Sequence, residues 1–134
     1  LGTDSAASNN RLDLFAEMRL ASLLAKVTQG DAAALPAATV LRMATLGGAR
    51  AVGLDDRIGS LVPGKDADVV AVDFSSVALA PCYDPVSHLV HAAGREHVTD
   101  VWIEGERLVG SGRLVRLDSA AITARAALWR DRIA

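Results

Sequence analysis

The chain has 134 residues, 51% of them hydrophobic, which is enough to bury a core of ordinary size. Lys and Arg number 14 against 16 Asp and Glu, a formal net charge of −2. This balance argues against nucleic acid as the main partner, because such binding needs a basic surface that displaces phosphate counterions. One cysteine, Cys82, excludes an internal disulfide and a cysteine-based zinc site. Every apolar run is far shorter than the roughly 20 residues of a membrane-spanning helix, so no membrane partner is expected.

The sequence begins at Leu1, without an initiator Met and without a basic or apolar segment typical of an export signal. We therefore expect a piece of a longer polypeptide. The single thiol and the missing export signal favour a cytoplasmic protein.

Helical spacing of apolar residues dominates the first half of the chain. Asn10 is placed to cap the first helix, Asp13 lies in its first turn, and Gly30 is a natural stop. Pro36 fits the first turn of the second helix, and Gly47-Gly48 is expected to interrupt it. The predicted helices cover residues 11–29, 36–46 and 49–54.

The second half alternates turn signals with short apolar runs. Pro63-Gly64 predicts a type II turn, because Pro fixes φ at the second position and Gly accepts a positive φ at the third. Asp84 and Asp118 are placed to cap helices, and Glu104-Gly105-Glu106 predicts a hairpin turn. The predicted elements are a strand at 68–74, a helix at 85–93, hairpin strands at 98–103 and 107–109 with an extension at 114–115, and a terminal helix at 119–132.

The segment with a distinctive chemical character is Gly2-Thr-Asp-Ser-Ala-Ala-Ser-Asn-Asn10. An acid followed by small residues and then by a helix is how a carboxylate is presented at the carboxyl-terminal rim of a parallel barrel. The alternative from the residues alone is a capping loop in which Asp4 makes an Asx-turn. Both interpretations remain open at this point.

Other reactive side chains have structural interpretations. His88 and His91 share a helical face but lack a third ligand nearby, and His97 precedes a strand without an identifiable partner. Cys82 has no basic activator close in sequence, so we do not expect a nucleophile.

Six further residues are expected to be structural as well. Glu17 and Arg19 are expected to form a solvated or inter-element ion pair, and Lys65 and Asp68 to stabilise a turn. Trp102 and Trp129 are expected to be core or interface anchors.

Four stretches share a pattern with a known superfamily. They are Gly2-Thr-Asp-Ser5 with Ser8-Asn-Asn10 and Leu14-Phe-Ala-Glu-Met-Arg19; residues 43–53; residues 58–72; and residues 83–87 followed by 101–105. Together they resemble the carboxyl-terminal part of the amidohydrolase superfamily. More narrowly, they resemble its methylthioadenosine/S-adenosylhomocysteine deaminases and triazine-type chlorohydrolases.

The resemblance implies a (β/α)8 barrel with one divalent metal, zinc or iron, at its carboxyl-terminal face. In such enzymes the metal activates a water molecule that attacks an amidine-like carbon of a purine or related ring. Asp4 matches the aspartate after the eighth strand, which binds or adjoins the metal and accepts a proton. Ser5, Asn9 and Asn10 would line the substrate pocket or support the loop. The family's histidine ligands and catalytic glutamate lie on earlier strands.

These observations predict an α/β chain, α+β if taken alone, with three parts. Residues 1–57 would be the last strand's exit loop and the closing helices of the barrel, 58–116 part of a small β-sandwich, and 117–134 a terminal helix. The intact enzyme would deaminate an adenine-type nucleoside or thioether nucleoside and form a homo-oligomer.

Three further statements complete the prediction. The 134-residue chain alone would be inactive and would hold no metal. A triazine chlorohydrolase or a guanine deaminase is the alternative within the family. A non-catalytic module that binds a partner is the alternative outside it.

Overall fold

A computed structural model describes residues 1–133 as a layer of short helices, a four-stranded sheet and a terminal helix. The architecture is α/β with a small antiparallel sheet, as the sequence predicts. The helices are α1 (Leu14–Gln29), α2 (Ala37–Ala44), α3 (Leu46–Ala51), α4 (Pro85–His91) and α5 (Ser119–Ile133). The strands are β1 (Val69–Val72), β2 (Val98–Ile103), β3 (Glu106–Gly110) and β4 (Arg113–Leu114), and two 3-10 turns cover Val77–Leu79 and Arg95–His97.

The first helix begins three residues later than predicted, and its N-cap is Asp13 rather than Asn10. The Asp13 carboxylate accepts hydrogen bonds from the backbone N–H groups of Phe15 and Ala16, at 3.1 and 3.3 Å. It is almost fully buried and lies 3.0 Å from the guanidinium of Arg11, so the cap is also an ion pair. Gly30 ends the helix at φ 64°, which confirms the predicted stop.

The predicted interruption at Gly47-Gly48 is wrong, because both glycines lie inside α3. The break falls at Thr45, whose φ of −108° and ψ of −96° are not helical. A Cβ on Gly47 would lie only 3.2 Å from the Arg42 carbonyl oxygen. A side chain at Gly47 would therefore crowd the end of α2, and the glycine does not end the helix.

The helical layer is held together by a small buried core. Met18 of α1, Val40 of α2 and Val90 of α4 are 0 to 4% exposed and pack as one cluster. Phe15 and Leu41 cover its edges. Burial of these side chains contributes roughly 1.5 to 3 kcal/mol each, so the three helices are fixed against one another at this point.

The sheet is an antiparallel meander in the order β1-β2-β3-β4. Val69 pairs with Trp102, and Val101 pairs with Val109, so β-branched and aromatic residues face each other across the central strands. Arg107 lies over the Trp102 ring at 5.9 Å and donates a hydrogen bond of 2.8 Å to Asp100. Hydrogen bonds from Arg107 and then from Thr99 hold the pKa of the Asp100 carboxyl below its usual range.

The turn before β1 has the predicted structural role. The Lys65 N–H donates to the Val62 carbonyl at 3.2 Å, and Gly64 has φ 94°, as a type II turn requires. The Lys65 ammonium donates to the Ile58 carbonyl at 3.1 Å. The Asp68 carboxylate accepts a hydrogen bond of 2.9 Å from the Glu104 N–H. It therefore stabilises the turn between β2 and β3 rather than the Pro63-Gly64 turn.

The predicted caps of the later helices are confirmed. Asp84 accepts from Val86 and Ser87 at the start of α4, and Asp118 accepts from Ala120 and Ala121 at the start of α5.

The terminal helix α5 is exposed along its whole length. Trp129 is 56% exposed with the Arg132 guanidinium 5.3 Å from its ring, so within residues 1–133 it is not part of a core. Its role as an interface anchor remains a prediction. Among residues 1–133, no helix is both long and apolar enough to cross a membrane.

We predict that Val40→Ala destabilises the protein and that Thr39→Ala does not. Both changes replace a β-branched residue of α2 by Ala, so their effect on helix propensity is similar. Val40 is fully buried and Thr39 is exposed. The loss of two buried methyl groups and the resulting cavity should lower the free energy of unfolding by about 2 kcal/mol. Denaturant unfolding measures the difference, and equal stabilities of the two variants would contradict the assigned core.

Candidate active site

The loop of residues 2–10 closes around the carboxylate of Asp4. One carboxylate oxygen accepts the backbone N–H of Ser5 at 2.7 Å, and the other accepts the hydroxyl of Ser8 at 2.7 Å. The Asp4 backbone lies in the left-handed region, with φ 60°. Such a conformation costs about 1 kcal/mol or more for a residue with a Cβ, so the loop contacts must hold it.

These contacts favour the anionic form of the Asp4 carboxyl. The hydrogen bond from Ser8, followed by that from the Ser5 N–H, holds the pKa of Asp4 below its usual range. Asp4 is exposed to solvent, and each oxygen accepts only one of these two bonds, so lone pairs remain. An exposed, oriented, anionic carboxylate is suited to contact a divalent cation, and carboxylates that bind metals are themselves commonly hydrogen-bonded.

The other predicted site residues have three different environments. Asn9 is partly buried, and its amide nitrogen donates to the Thr3 carbonyl at 2.8 Å and to the Glu17 carboxylate at 2.9 Å. Ser5 is exposed, and its hydroxyl accepts the Ala7 N–H at 3.3 Å. Asn10 is exposed, and its side chain makes no hydrogen bond within residues 1–133. The structure therefore brings Asp4, Ser5 and Asn9 together in one hydrogen-bonded loop.

Glu17 and Arg19 contact different parts of the chain. The predicted ion pair, solvated or between elements, is wrong, because neither side chain forms an ion pair within residues 1–133. Arg19 donates 2.7 Å to the Ala93 carbonyl beyond the end of α4, while Glu17 faces Asn9. No local sequence signal indicates this contact, since it depends on how the preceding loop folds back onto α1.

The histidines do not form a metal centre with other ligands. Within residues 1–133 there is no group of three His, Cys, Asp or Glu side chains arranged to hold a metal ion. His88 packs edge-on against Phe74, with ring centroids 6.4 Å apart, and His97 accepts the Gly94 N–H at 3.1 Å. Desolvation, and then the charges of Lys26 and Arg19, lower the pKa of His91. Cys82 is exposed.

A separate apolar cleft of about 850 Å³ lies between the helical layer and the sheet. Phe15 and Met18 line one side, and Val69, Val70 and Val72 line the other. Asp4 does not line it, so the cleft and the candidate metal ligand are different features of the chain.

The family model described as "Amidohydrolase family" matches residues 1–108, and the chain belongs to this family. The match begins before the Asp4 loop and extends through β2, so it includes the helical layer and part of the sheet.

Named relatives support the same family. The chain is 50% identical over 133 residues to a 5-methylthioadenosine/S-adenosylhomocysteine deaminase of Teredinibacter turnerae, covering 99% of this chain and 30% of that protein. Among solved structures it matches a zinc-bound adenosine deaminase of Xanthomonas campestris, with TM-score 0.96 and 55% identity. This match covers 98% of this chain and 30% of that chain. It also matches a zinc complex of atrazine chlorohydrolase of Arthrobacter aurescens, with TM-score 0.85, 29% identity, and coverage of 92% and 28%. The chain thus spans about 30% of the length of these relatives.

We predict that Ser8→Ala raises the pKa of Asp4 toward its ordinary value, because the largest contribution to the lowered pKa is removed. Because the pKa of Asp4 is lower in the folded state than in the unfolded state, its ionisation stabilises the folded loop at any pH above the unfolded pKa. This stabilisation is lost as the pH falls through the folded pKa. Ser5→Ala is the matched control, because it keeps the backbone N–H that Asp4 accepts. Carbon-detected NMR titration of the Asp4 carboxyl measures both pKa values. The same pKa in both variants would show that the Ser8 hydroxyl does not bind Asp4.

Proposed function

We propose that the intact protein containing this chain is a metal-dependent hydrolytic deaminase of an adenine-type nucleoside or thioether nucleoside. The observation that carries the proposal is the exposed, anionic carboxylate of Asp4, held in a loop that enters α1. Family membership and relatives named as deaminases of methylthioadenosine, S-adenosylhomocysteine and adenosine support it.

We assign the parts of the chain to this enzyme as follows. Residues 1–57 form the exit loop of the last strand and the closing helices of a (β/α)8 barrel. Residues 58–116 form part of a small β-sandwich, and 117–134 form a terminal helix, of which residue 134 lies outside the described residues. The antiparallel sheet of β1 to β4, which lies within residues 58–116, supports this division, while α4 of the same range packs on α1 and α2.

Asp4 is the proposed metal ligand and proton acceptor of the reaction. A bound zinc or iron ion supplies a positive charge that lowers the pKa of water. Asp4 contributes an anionic oxygen toward that ion and accepts a proton at the same carboxylate. Zinc in the neighbouring structures supports zinc as the metal.

Ser5, Asn9 and Asn10 have supporting roles in this proposal. Ser5 and Asn10 are exposed near Asp4 in sequence and are assigned to the substrate side of the loop. Asn9 uses its amide within the protein, so we assign it to holding the loop rather than to contacting substrate.

The intact protein is proposed to be a cytoplasmic homo-oligomer acting on a small molecule. An exposed apolar face of α1 supports an interface with another surface of the intact protein or with a second subunit; its residues are Leu20, Leu23, Leu24 and Val27.

A hydrolase of the same family with another leaving group is the second candidate. The likeness to an atrazine chlorohydrolase favours it, at lower identity than the deaminases. Substrate-contacting residues outside this chain would distinguish the two, so a panel with adenosine, methylthioadenosine, S-adenosylhomocysteine, guanine and a chlorotriazine is the direct test. Ammonia release from the adenine nucleosides is expected.

In that assay, Asp4→Asn should lower kcat by about 10²-fold or more, because the amide keeps the shape but loses the charge and the basic oxygen. Asp31→Asn is the control, since Asp31 caps a turn by accepting the Ala33 N–H and an amide oxygen serves equally well. Full activity in Asp4→Asn would refute the assigned role. Chloride release from the chlorotriazine alone, or ammonia release from guanine alone, would favour the second candidate. The absence of turnover with every compound would favour a non-catalytic module.

The 134-residue chain by itself is expected to show no deaminase activity and no stoichiometric zinc. One carboxylate does not make the three or four ligands of a catalytic zinc site, and residues 1–133 contain no three-ligand cluster. Ammonia release and metal content after dialysis against zinc measure this. Zinc-dependent turnover by the 134-residue chain alone would contradict the proposal that the remaining metal ligands lie in a part of the polypeptide outside this chain.

A further inference from the structure

We propose that Glu17 is a positioning residue that fixes the Asp4 loop through the side-chain amide of Asn9. This inference rests on the proposed function, because fixing the loop affects catalysis only if the Asp4 carboxylate binds a metal. Asn9 carries the connection, since its amide nitrogen donates to both Glu17 and the Thr3 carbonyl.

The anchored carbonyl is adjacent to Asp4 in the chain. The Thr3 C=O and the Asp4 N–H belong to one planar peptide unit, so a bond to that oxygen restricts the plane next to the Asp4 Cα. The Asn9 side-chain oxygen also accepts the Arg11 N–H at 3.0 Å. Both N–H donors and the oxygen of the Asn9 amide are therefore in use, which leaves its orientation little freedom.

The bonds that Ser5 and Ser8 make to Asp4 orient the carboxylate within the loop but do not attach the loop to a helix. Of the hydrogen bonds that residues 2–10 make within residues 1–133, the one from Asn9 to Glu17 is the one that reaches a helix. The residue before this loop, Leu1, donates from its terminal nitrogen to the Met43 carbonyl of α2 at 3.3 Å, so loss of the Asn9 bond would remove the attachment of residues 2–10 to α1.

Glu17 is well placed to be the fixed end. It lies in the first turn of α1, next to Met18, which is buried against α2 and α4. Arg19 is turned to the Ala93 carbonyl, and no Lys, Arg or His side chain within residues 1–133 forms an ion pair with Glu17. The half-buried carboxylate is thus free to accept from Asn9, as a charge-assisted hydrogen bond.

The test compares Glu17→Ala, Glu17→Gln and Asn9→Ala with a matched control, Glu96→Ala, in the complete polypeptide that contains this chain. Glu96 is 63% exposed and belongs to a 3-10 turn after α4. Zinc affinity is measured by competition with a chelator, kcat and KM by ammonia release, and loop order by amide hydrogen exchange of residues 3–10. Thermal melting verifies that each variant is folded, and Asn9→Ala tests the same bond from its other end if Glu17→Ala does not fold.

Glu17→Ala and Asn9→Ala should each weaken zinc binding and lower kcat by about tenfold, as losses of groups that support a metal ligand do. KM should stay within about twofold, and exchange in the loop should become about tenfold faster. Glu17→Gln should stay within about threefold of the parent, because the carboxamide oxygen still accepts. The double variant should be no worse than either single one, because both remove the same bond.

Two results would overturn the proposal. One is loop exchange in Glu17→Ala equal to that in Glu96→Ala. The other is faster exchange with unchanged zinc affinity and kcat. A parent protein with no zinc binding and no turnover would refute the proposed function instead. Loop exchange that still depends on Glu17 would then support the attachment of the loop to α1 through Asn9 and Glu17.

Discussion

The contact among Met18, Val40 and Val90 is the constraint on which the rest of the described structure depends. It fixes α1 against α2 and α4, and so sets where the first turn of α1 lies. That turn carries Glu17 and follows the cap at Asp13, so a buried apolar cluster determines where a polar loop is attached. Core packing and site geometry are therefore linked through one helix.

A single chain of hydrogen bonds continues from that helix to the candidate metal ligand. Asn9 joins α1 to the peptide before Asp4, and Ser8 and the Ser5 N–H orient the carboxylate itself. The bonds that surround the left-handed Asp4 backbone also lower the pKa of its carboxyl. A hydrogen-bonded carboxylate on a left-handed backbone, in the loop that precedes α1, suits the cation-facing role proposed for Asp4.

Much of the fold follows from short-range signals. Apolar spacing predicted α1 and α5, and the side chains of Asp84 and Asp118 and the Pro63-Gly64 pair were assigned correctly because their effects are local. The start of α1 was missed because Asp13 competes with Asn10 for the same role, and only tertiary burial decides between them.

The candidate site could be proposed from the sequence in part. Asp4 and its loop were proposed from a resemblance that involves several separate stretches, whereas the local pattern alone was compatible with a plain capping loop. The Asn9–Glu17 contact was not predictable, because it joins positions eight residues apart through a loop whose path depends on Ser5, Ser8 and Asn9 together.

The central claim is that Asp4 of this chain is a ligand of a catalytic metal, and an experimental structure of the complete polypeptide with zinc tests it most directly. Anomalous scattering at the zinc edge locates the ion independently of the chain. We expect a zinc ion within about 2.0–2.2 Å of an Asp4 carboxylate oxygen. A fully occupied zinc site that does not include Asp4 would contradict the account.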